Sequence, residues 1–398
     1  MTDRSFLLAW RGALGAFVLA GSTGVLYRIG LATGWTAGFD LVNIRHAHSH
    51  LMYFGWVMPA LFALMGTYLS PAPSTRRLPR VIGACFAAAL LAYPLFLAFG
   101  YRPVDLGEAR LPLAVIAASL NMLVWYGFVL YYRRARRGRP RSHALHLWDA
   151  AVTFLVLATL GAWGLALLQP FGIDDPRWTT ALTHVFLDYV SEGWFVLAVL
   201  GLAYAVHAPR TGWWDRTSLH LMVAGLPVTF ALGMPGSLVP ATLRWLAGFG
   251  GALVGTGLWI AVVRLWGVAD GRWRVPLAFL ALKATGQVIV GLLPGLWWAD
   301  LHGLRVLYLH LMLLGFVSTG LAAAAAMLRR RVAGRGTAVF YLAVGVVLAS
   351  LLPFTPLWPA GWRGSWAFDV AAWLSPLPVL AAAWLIVRTR PGLDQEPR

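Results

Sequence analysis

The sequence predicts an all-α, polytopic membrane protein, and three observations carry that prediction. Hydrophobic residues make up 59% of the 398 residues, and charged residues only 12%. The apolar residues fall in runs of membrane-crossing length, and the arginines gather in short bursts between alternate runs. A soluble domain of this length cannot hide so much apolar surface in one core. The net charge of +17 therefore speaks of membrane topology; the expected partner is lipid, not nucleic acid. The lone Cys85 excludes an internal disulfide and any multi-cysteine zinc or iron–sulfur site.

A crossing helix needs about 20 mostly apolar residues. By that measure the chain holds twelve transmembrane helices, at 6–27, 46–69, 81–100, 112–132, 147–168, 178–206, 217–234, 244–267, 275–294, 304–328, 337–354 and 367–388, in a single twelve-helix domain over 1–398. The first run is flanked by Arg4 and Arg28, has Arg11 inside it and lacks a small-residue cleavage pattern. It reads as a span, not a removed signal peptide.

Arginine bursts follow the even-numbered spans: Arg76, Arg77 and Arg80; six between Arg133 and Arg141; Arg210 and Arg216; Arg272 and Arg274; and Arg329, Arg330, Arg331 and Arg335. The other loops carry fewer positive charges, some offset by Asp40, Asp105, Glu108, Asp174, Asp175 and Asp300. The positive-inside rule then places both termini in the cytoplasm of a bacterial-type inner membrane, with loops after odd-numbered spans facing outward.

Span two opens with His46, His48 and His50, and its phrase His50-Leu-Met-Tyr-Phe-Gly55-Trp-Val returns in span ten as His310-Leu-Met-Leu-Leu-Gly315-Phe-Val. His184 lies at a similar depth in span six. Histidines on helices four spans apart suggest three quasi-equivalent four-helix units. A neutral imidazole is a good iron ligand, and two helices can clamp a haem between opposed histidines. Gly55 and Gly315, lacking a Cβ, would let a flat macrocycle approach the backbone. The alternative is that each histidine bonds a neighbouring helix. His46 and His48 are either further metal ligands or surface groups, and Arg363, in the loop before span twelve, either pairs with an anionic propionate or is solvated.

Span six carries His184, Asp188 and Glu192 at helical i, i+4, i+8 spacing, one stripe down one face. Two carboxylates in an apolar helix must be paired, protonated or metal-bound. Such a stripe suits a proton path, or a polar seam to neighbouring helices. Lys283, the chain's one lysine, falls in the middle of span nine with Gln287 a turn on. It is a further candidate for that path.

Twelve spans, cytoplasmic termini and histidines near the outer ends of spans two, six and ten resemble subunit I of the haem–copper oxidase superfamily. The resemblance implies haem b ligated by His50 and His310, and a second metal, copper or non-haem iron, at His184. The pattern is incomplete: span seven has no histidine pair at its outer end, Tyr308 stands two places before His310 where the family has a second histidine, and Asp188 stands where many oxidases have tyrosine. A reduced, one-haem relative fits these departures. More loosely, the chain resembles the haem- and copper-containing membrane proteins of the nitric oxide response.

The expected function is that of a haem-binding redox protein passing electrons to oxygen or nitric oxide, an oxidoreductase supplied by a donor subunit or cytochrome. Asp188, Glu192 and Lys283 would handle its protons. The alternatives are a non-catalytic haem or metal sensor and a proton-coupled transporter.

Overall fold

The computed structural model describes residues 2–69, 77–107, 109–168, 170–293, 297–328 and 335–389. Arg76, Glu108, Arg329, Arg330 and Arg331, counted above among the loop charges, lie outside the described residues. In chain order the helices are α1 (Asp3–Thr33), α2 (Leu41–Leu69), α3 (Arg77–Phe99), α4 (Leu113–Arg136), α5 (His143–Leu168) and α6 (Pro176–His207). They continue as α7 (Trp213–Thr229), α8 (Ala241–Trp266), α9 (Gly271–Leu292), α10 (His302–Leu328), α11 (Arg335–Ser350) and α12 (Trp366–Arg388). A short antiparallel ribbon, β1 (Val104–Leu106) with β2 (Ala109–Leu111), joins α3 to α4.

Eleven stretches among the described residues are long and apolar enough to cross a membrane. The exception is α7, which runs for 17 residues and passes into a 3-10 turn over Phe230–Gly233. Pro227 inside α7 removes one backbone donor, and the helix gives way soon after it. Some helix ends are set by caps that the chain supplies. Asp40, Asp175 and Asp270 accept backbone N–H bonds at the starts of α2, α6 and α9. Gly34 closes α1 in the left-handed conformation at φ +78°.

The chain divides into two compact units. The first holds Met1–Gly138, Ala324–Ser350 and Arg363–Arg398. Within it α1 packs on α2 and α12, and α3 packs on α2 and α4. Its core is aromatic: the Trp56 ring of α2 lies 5.5 Å from Trp10 and 5.4 Å from Phe17, both on α1.

The second unit holds Arg139–Ala323 and Leu351–Trp362. Here glycine sets how near the helices come. Gly225 of α7 and Gly250 of α8 face each other so closely that a Cβ on Gly225 would sit 2.3 Å from the Gly250 carbonyl. On another face of α8, Gly248 meets Gly291 of α9 in the same way. In lipid, where hydrophobic burial does not drive helices together, such backbone contact supplies the packing energy.

Candidate functional site

Three helices share a local distortion. In α2 a π turn over Met52–Val57 follows His50; in α6 one over Tyr189–Val196 follows Asp188; in α10 one over Leu311–Ser318 follows His310. A π turn holds one residue more than the α-helix needs and tends to persist where it positions something. Each turn contains a glycine followed by an aromatic residue: Gly55-Trp56, Gly193-Trp194 and Gly315-Phe316. Counting five residues back from each glycine gives His50, Asp188 and His310. The repeated phrase therefore occurs a third time, and Asp188, not His184, takes the histidine's place in it.

In the second unit the turn in α6 delivers Glu192 to a buried ion pair. Lys283 of α9 is fully buried and Glu192 is 4% exposed. Lys283 Nζ donates to Glu192 Oε2 and to Gln287 Oε1, its neighbour one turn on. The other carboxylate oxygen, Glu192 Oε1, accepts a 2.6 Å bond from the Tyr308 hydroxyl of α10. The Tyr308 ring also lies under the ammonium, 5.6 Å from Nζ to centroid. Both oxygens of the carboxylate and two donor directions of the ammonium are thus used, which is the condition for holding an ion pair away from water.

One turn nearer the start of α6, Asp188 is only half-buried. Its Oδ2 lies 2.6 Å from the Thr229 hydroxyl of α7, which is also 2.9 Å from the Leu226 carbonyl. The hydroxyl has one proton for two acceptors. When that proton turns to the carbonyl, the Asp188–Thr229 bond requires a proton on Asp188. The carboxyl and hydroxyl thus form a unit that holds one proton more or one fewer without losing its geometry. His184, a further turn back, presses its ring on Gly233, where a Cβ would stand 2.4 Å from Nδ1.

The first unit uses its copy of the turn differently. His50 stacks on Phe96 at 3.8 Å between centroids, and its Nε2 lies 2.9 Å from the Tyr101 hydroxyl. Its Nδ1 is buried without a hydrogen-bond partner. His48 Nδ1 bonds the Ala20 carbonyl of α1 at 2.7 Å, an interhelical tie. His46 sets its ring edge-on to Tyr101 at 4.6 Å. Gly55 does not open on a slot: a Cβ there would meet Leu51 at 2.6 Å and Ala16 of α1 at 3.0 Å, so its role is helix packing. Arg363 is exposed in the loop before α12.

In the second unit His310 Nδ1 bonds the Val306 carbonyl within its own helix at 2.8 Å, which puts the proton on Nδ1 and the lone pair on Nε2, the form that ligates a metal. The Gly315 carbonyl accepts from the Thr319 hydroxyl. As a test of fit to haem, the tautomer of His310 and the orphaned Nδ1 of His50 suit ligation, whereas Gly55 offers no room for a macrocycle. Among the described residues no three His, Cys, Asp or Glu side chains converge to hold a metal ion.

The structure therefore joins residues singled out from sequence, Asp188, Glu192 and Lys283 with its neighbour Gln287, in one neighbourhood and adds Tyr308 and Thr229. Tyr308 carries no signal of its own in the sequence. The pairing of Glu192 with Lys283 does, since a mid-span carboxylate needs a cation and the chain has one lysine. No protein-family model matches the chain, and no curated protein matches it.

Proposed function

We propose that the chain is a proton-coupled membrane protein whose working centre is the Asp188–Glu192–Lys283–Tyr308 cluster. One observation carries this reading: a fully buried lysine shares a carboxylate with a tyrosine, one turn from a second carboxyl that is half-buried and hydroxyl-bonded. Intramembrane ionisable groups are costly and mark ion paths. Asp188, at the more open end, exchanges its proton through Thr229. Glu192, one turn deeper, receives it, and protonation there removes the charge that balances Lys283. Lys283 then keeps Gln287 as its acceptor while the Tyr308 hydroxyl reorients. Each protonation thus changes which groups are tied together across α6, α9 and α10, which is the coupling a transporter or a redox pump needs.

The proposal includes twelve crossings, with α7 and its 3-10 extension as the twelfth, three quasi-equivalent four-helix units in one domain, and both termini in the cytoplasm of a bacterial-type inner membrane. The arginine bursts support that orientation, and the third copy of the glycine–aromatic phrase supports the repeat. A second reading, a haem b redox protein related to oxidase subunit I, with His50 and His310 as ligands and electrons supplied by a partner cytochrome, is favoured by the orphaned Nδ1 of His50. In that reading the haem supplies electron transfer, with copper or non-haem iron as its second metal, and the carboxylate cluster handles the protons.

Infrared pH-difference spectra of the protein in lipid nanodiscs test the first reading. A carboxylic C=O band is expected that disappears in Asp188→Asn and shifts in Glu192→Gln. A titration unchanged by both substitutions sinks it. A reduced-minus-oxidised visible spectrum of the same sample tests the second. A b-type signal lost in His50→Ala and His310→Ala supports it, and colourless protein made with ample haem removes it.

A further inference from the structure

The end of α6 away from Asp188 meets a second buried polar network. Asp215 of α7 is fully buried. It accepts from the Tyr204 hydroxyl of α6 at 2.8 Å, from the Gly212 N–H at 2.7 Å, and from Nε and Nη2 of Arg264 on α8, each at 3.2 Å. Arg264 Nη2 also donates to the Arg210 carbonyl at 3.0 Å. Through Gly212 and Arg210 this ion pair holds the turn between α6 and α7. The chain enters that turn through Ala208, at φ +43°. An alanine in the left-handed region is strained, and persists where its surroundings hold it.

His143, the first residue of α5, lies against this network without joining it. It is 4% exposed, and its ring meets the Tyr204 ring at 4.5 Å between centroids. Neither of its ring nitrogens has a hydrogen-bond partner among the described residues. Burial and the positive end of the helix both oppose a charge on the ring. The helices packed on α5 are α6 and α7. The titratable groups that face His143 from them are Tyr204 and Asp215, with Arg264 bound to Asp215; His146 follows one turn on in α5. Arg216 and His220 of α7 are exposed, and the His207 ring of α6 stands edge-on to Trp273 of α9 at 6.0 Å.

We propose that His143 is an acid switch for the α6–α7 turn, on the side where the arginine bursts place the cytoplasm. A proton taken up from water gives the ring a charge and a second N–H, and in the closed arrangement neither N–H has an acceptor. The anion beside it, across Tyr204, is Asp215. Arg264 competes for that carboxylate and has less to lose: its side chain is 36% exposed and can return to water, whereas Asp215 is wholly enclosed. The imidazolium takes the carboxylate, Arg264 lets go of Asp215 and of the Arg210 carbonyl, and the strained turn opens. The neutral ring belongs to the closed form and the charged ring to the open one. Closure therefore holds at neutral pH and is lost on the acid side of about 6.5, the ordinary histidine value. The switch stands apart from the Glu192 cluster and does not depend on the proton-coupled reading.

The test is hydrogen–deuterium exchange of the full chain in lipid nanodiscs, followed over residues 208–215 and corrected for the intrinsic rate at each pH. Between about pH 7.5 and about pH 5, exchange is expected to quicken by up to about tenfold per pH unit, the limit for opening governed by one proton. It should stay slow in His143→Phe, which keeps a ring against Tyr204 but cannot ionise. Arg264→Gln should exchange fast already at neutral pH, since its turn has lost the tie that acid releases. Quickening that persists in His143→Phe assigns the proton to another group and overturns the proposal. So does a wild-type turn indifferent to acid, or an Arg264→Gln turn as slow as the wild type at neutral pH. Thermal midpoints show which variants fold, and His143→Asn, also unable to ionise in this range, repeats the test should the phenylalanine fit badly.

Discussion

The π turn of α2 and the π turn of α6 present the same backbone device with opposite chemistry. In α2 the residue five before the turn's glycine, His50, lies on an aromatic ring and carries an unsatisfied nitrogen, and the fourth residue on is Phe54. In α6 the corresponding residues are Asp188 and Glu192, and Thr229, Lys283 and Tyr308 donate to them. The first arrangement is an apolar nest with one open valence; the second is a closed polar network. The difference teaches that the distorted turn sets where a side chain goes, while its partners on neighbouring helices decide what it does.

Breaking the network should cost most. Lys283→Met leaves Glu192 buried without its cation, and a loss of about 3–5 kcal/mol is expected in denaturation of the detergent-solubilised protein. Adding Glu192→Leu should restore most of it. Should the double variant be no better than the single, the two residues do not act as a pair.

The two glycines sharpen the comparison. Gly193→Ala drives a methyl against Phe154 at its Cβ, 2.5 Å away, which cannot yield without moving α5. Gly55→Ala meets chiefly the flexible tip of Leu51. Overpacking of about 1–3 kcal/mol is expected at Gly193 and a smaller loss at Gly55. Equal losses would show that the turns are under equal constraint. Tyr308→Phe removes one bond to a carboxylate, a loss of about 2 kcal/mol by the same assay, together with a shift in the infrared carboxyl band. Smallest is Tyr101→Phe in the first unit, about 1 kcal/mol or less, because the partner there is a neutral imidazole. A loss as large as that of Tyr308→Phe would mean the His50 nest is not the looser of the two.

Most of the helical layout is legible in the sequence, because hydropathy over about 20 residues is a strong signal and arginine marks alternate loops. The predicted 81–100 and 147–168 spans, for example, appear as Arg77–Phe99 and His143–Leu168. The capping aspartates Asp40 and Asp175 extend α2 and α6 a few residues beyond where hydropathy begins them. The π turns are not legible, since one extra residue leaves no mark on an apolar run. Matching histidines by depth selects His184, whereas matching the glycine–aromatic pair selects Asp188. Tyr308 and Thr229 were hidden for another reason. Their importance lies in which helices face α6, and that is a property of packing, not of any local pattern.

A π turn is also a movable part. Trading one i→i+5 bond for an i→i+4 bond at one edge, and the reverse at the other, carries the wide turn along the helix without melting it. Each residue that passes through the turn swings by about 100°, the angle between neighbours in an α-helix. In α6 a single such step, travelling like a wrinkle along a carpet, would turn Asp188 away from Thr229 while leaving Glu192 on Lys283. The helix would then work as a latch that advances by one residue, with the ion pair as its fixed pin.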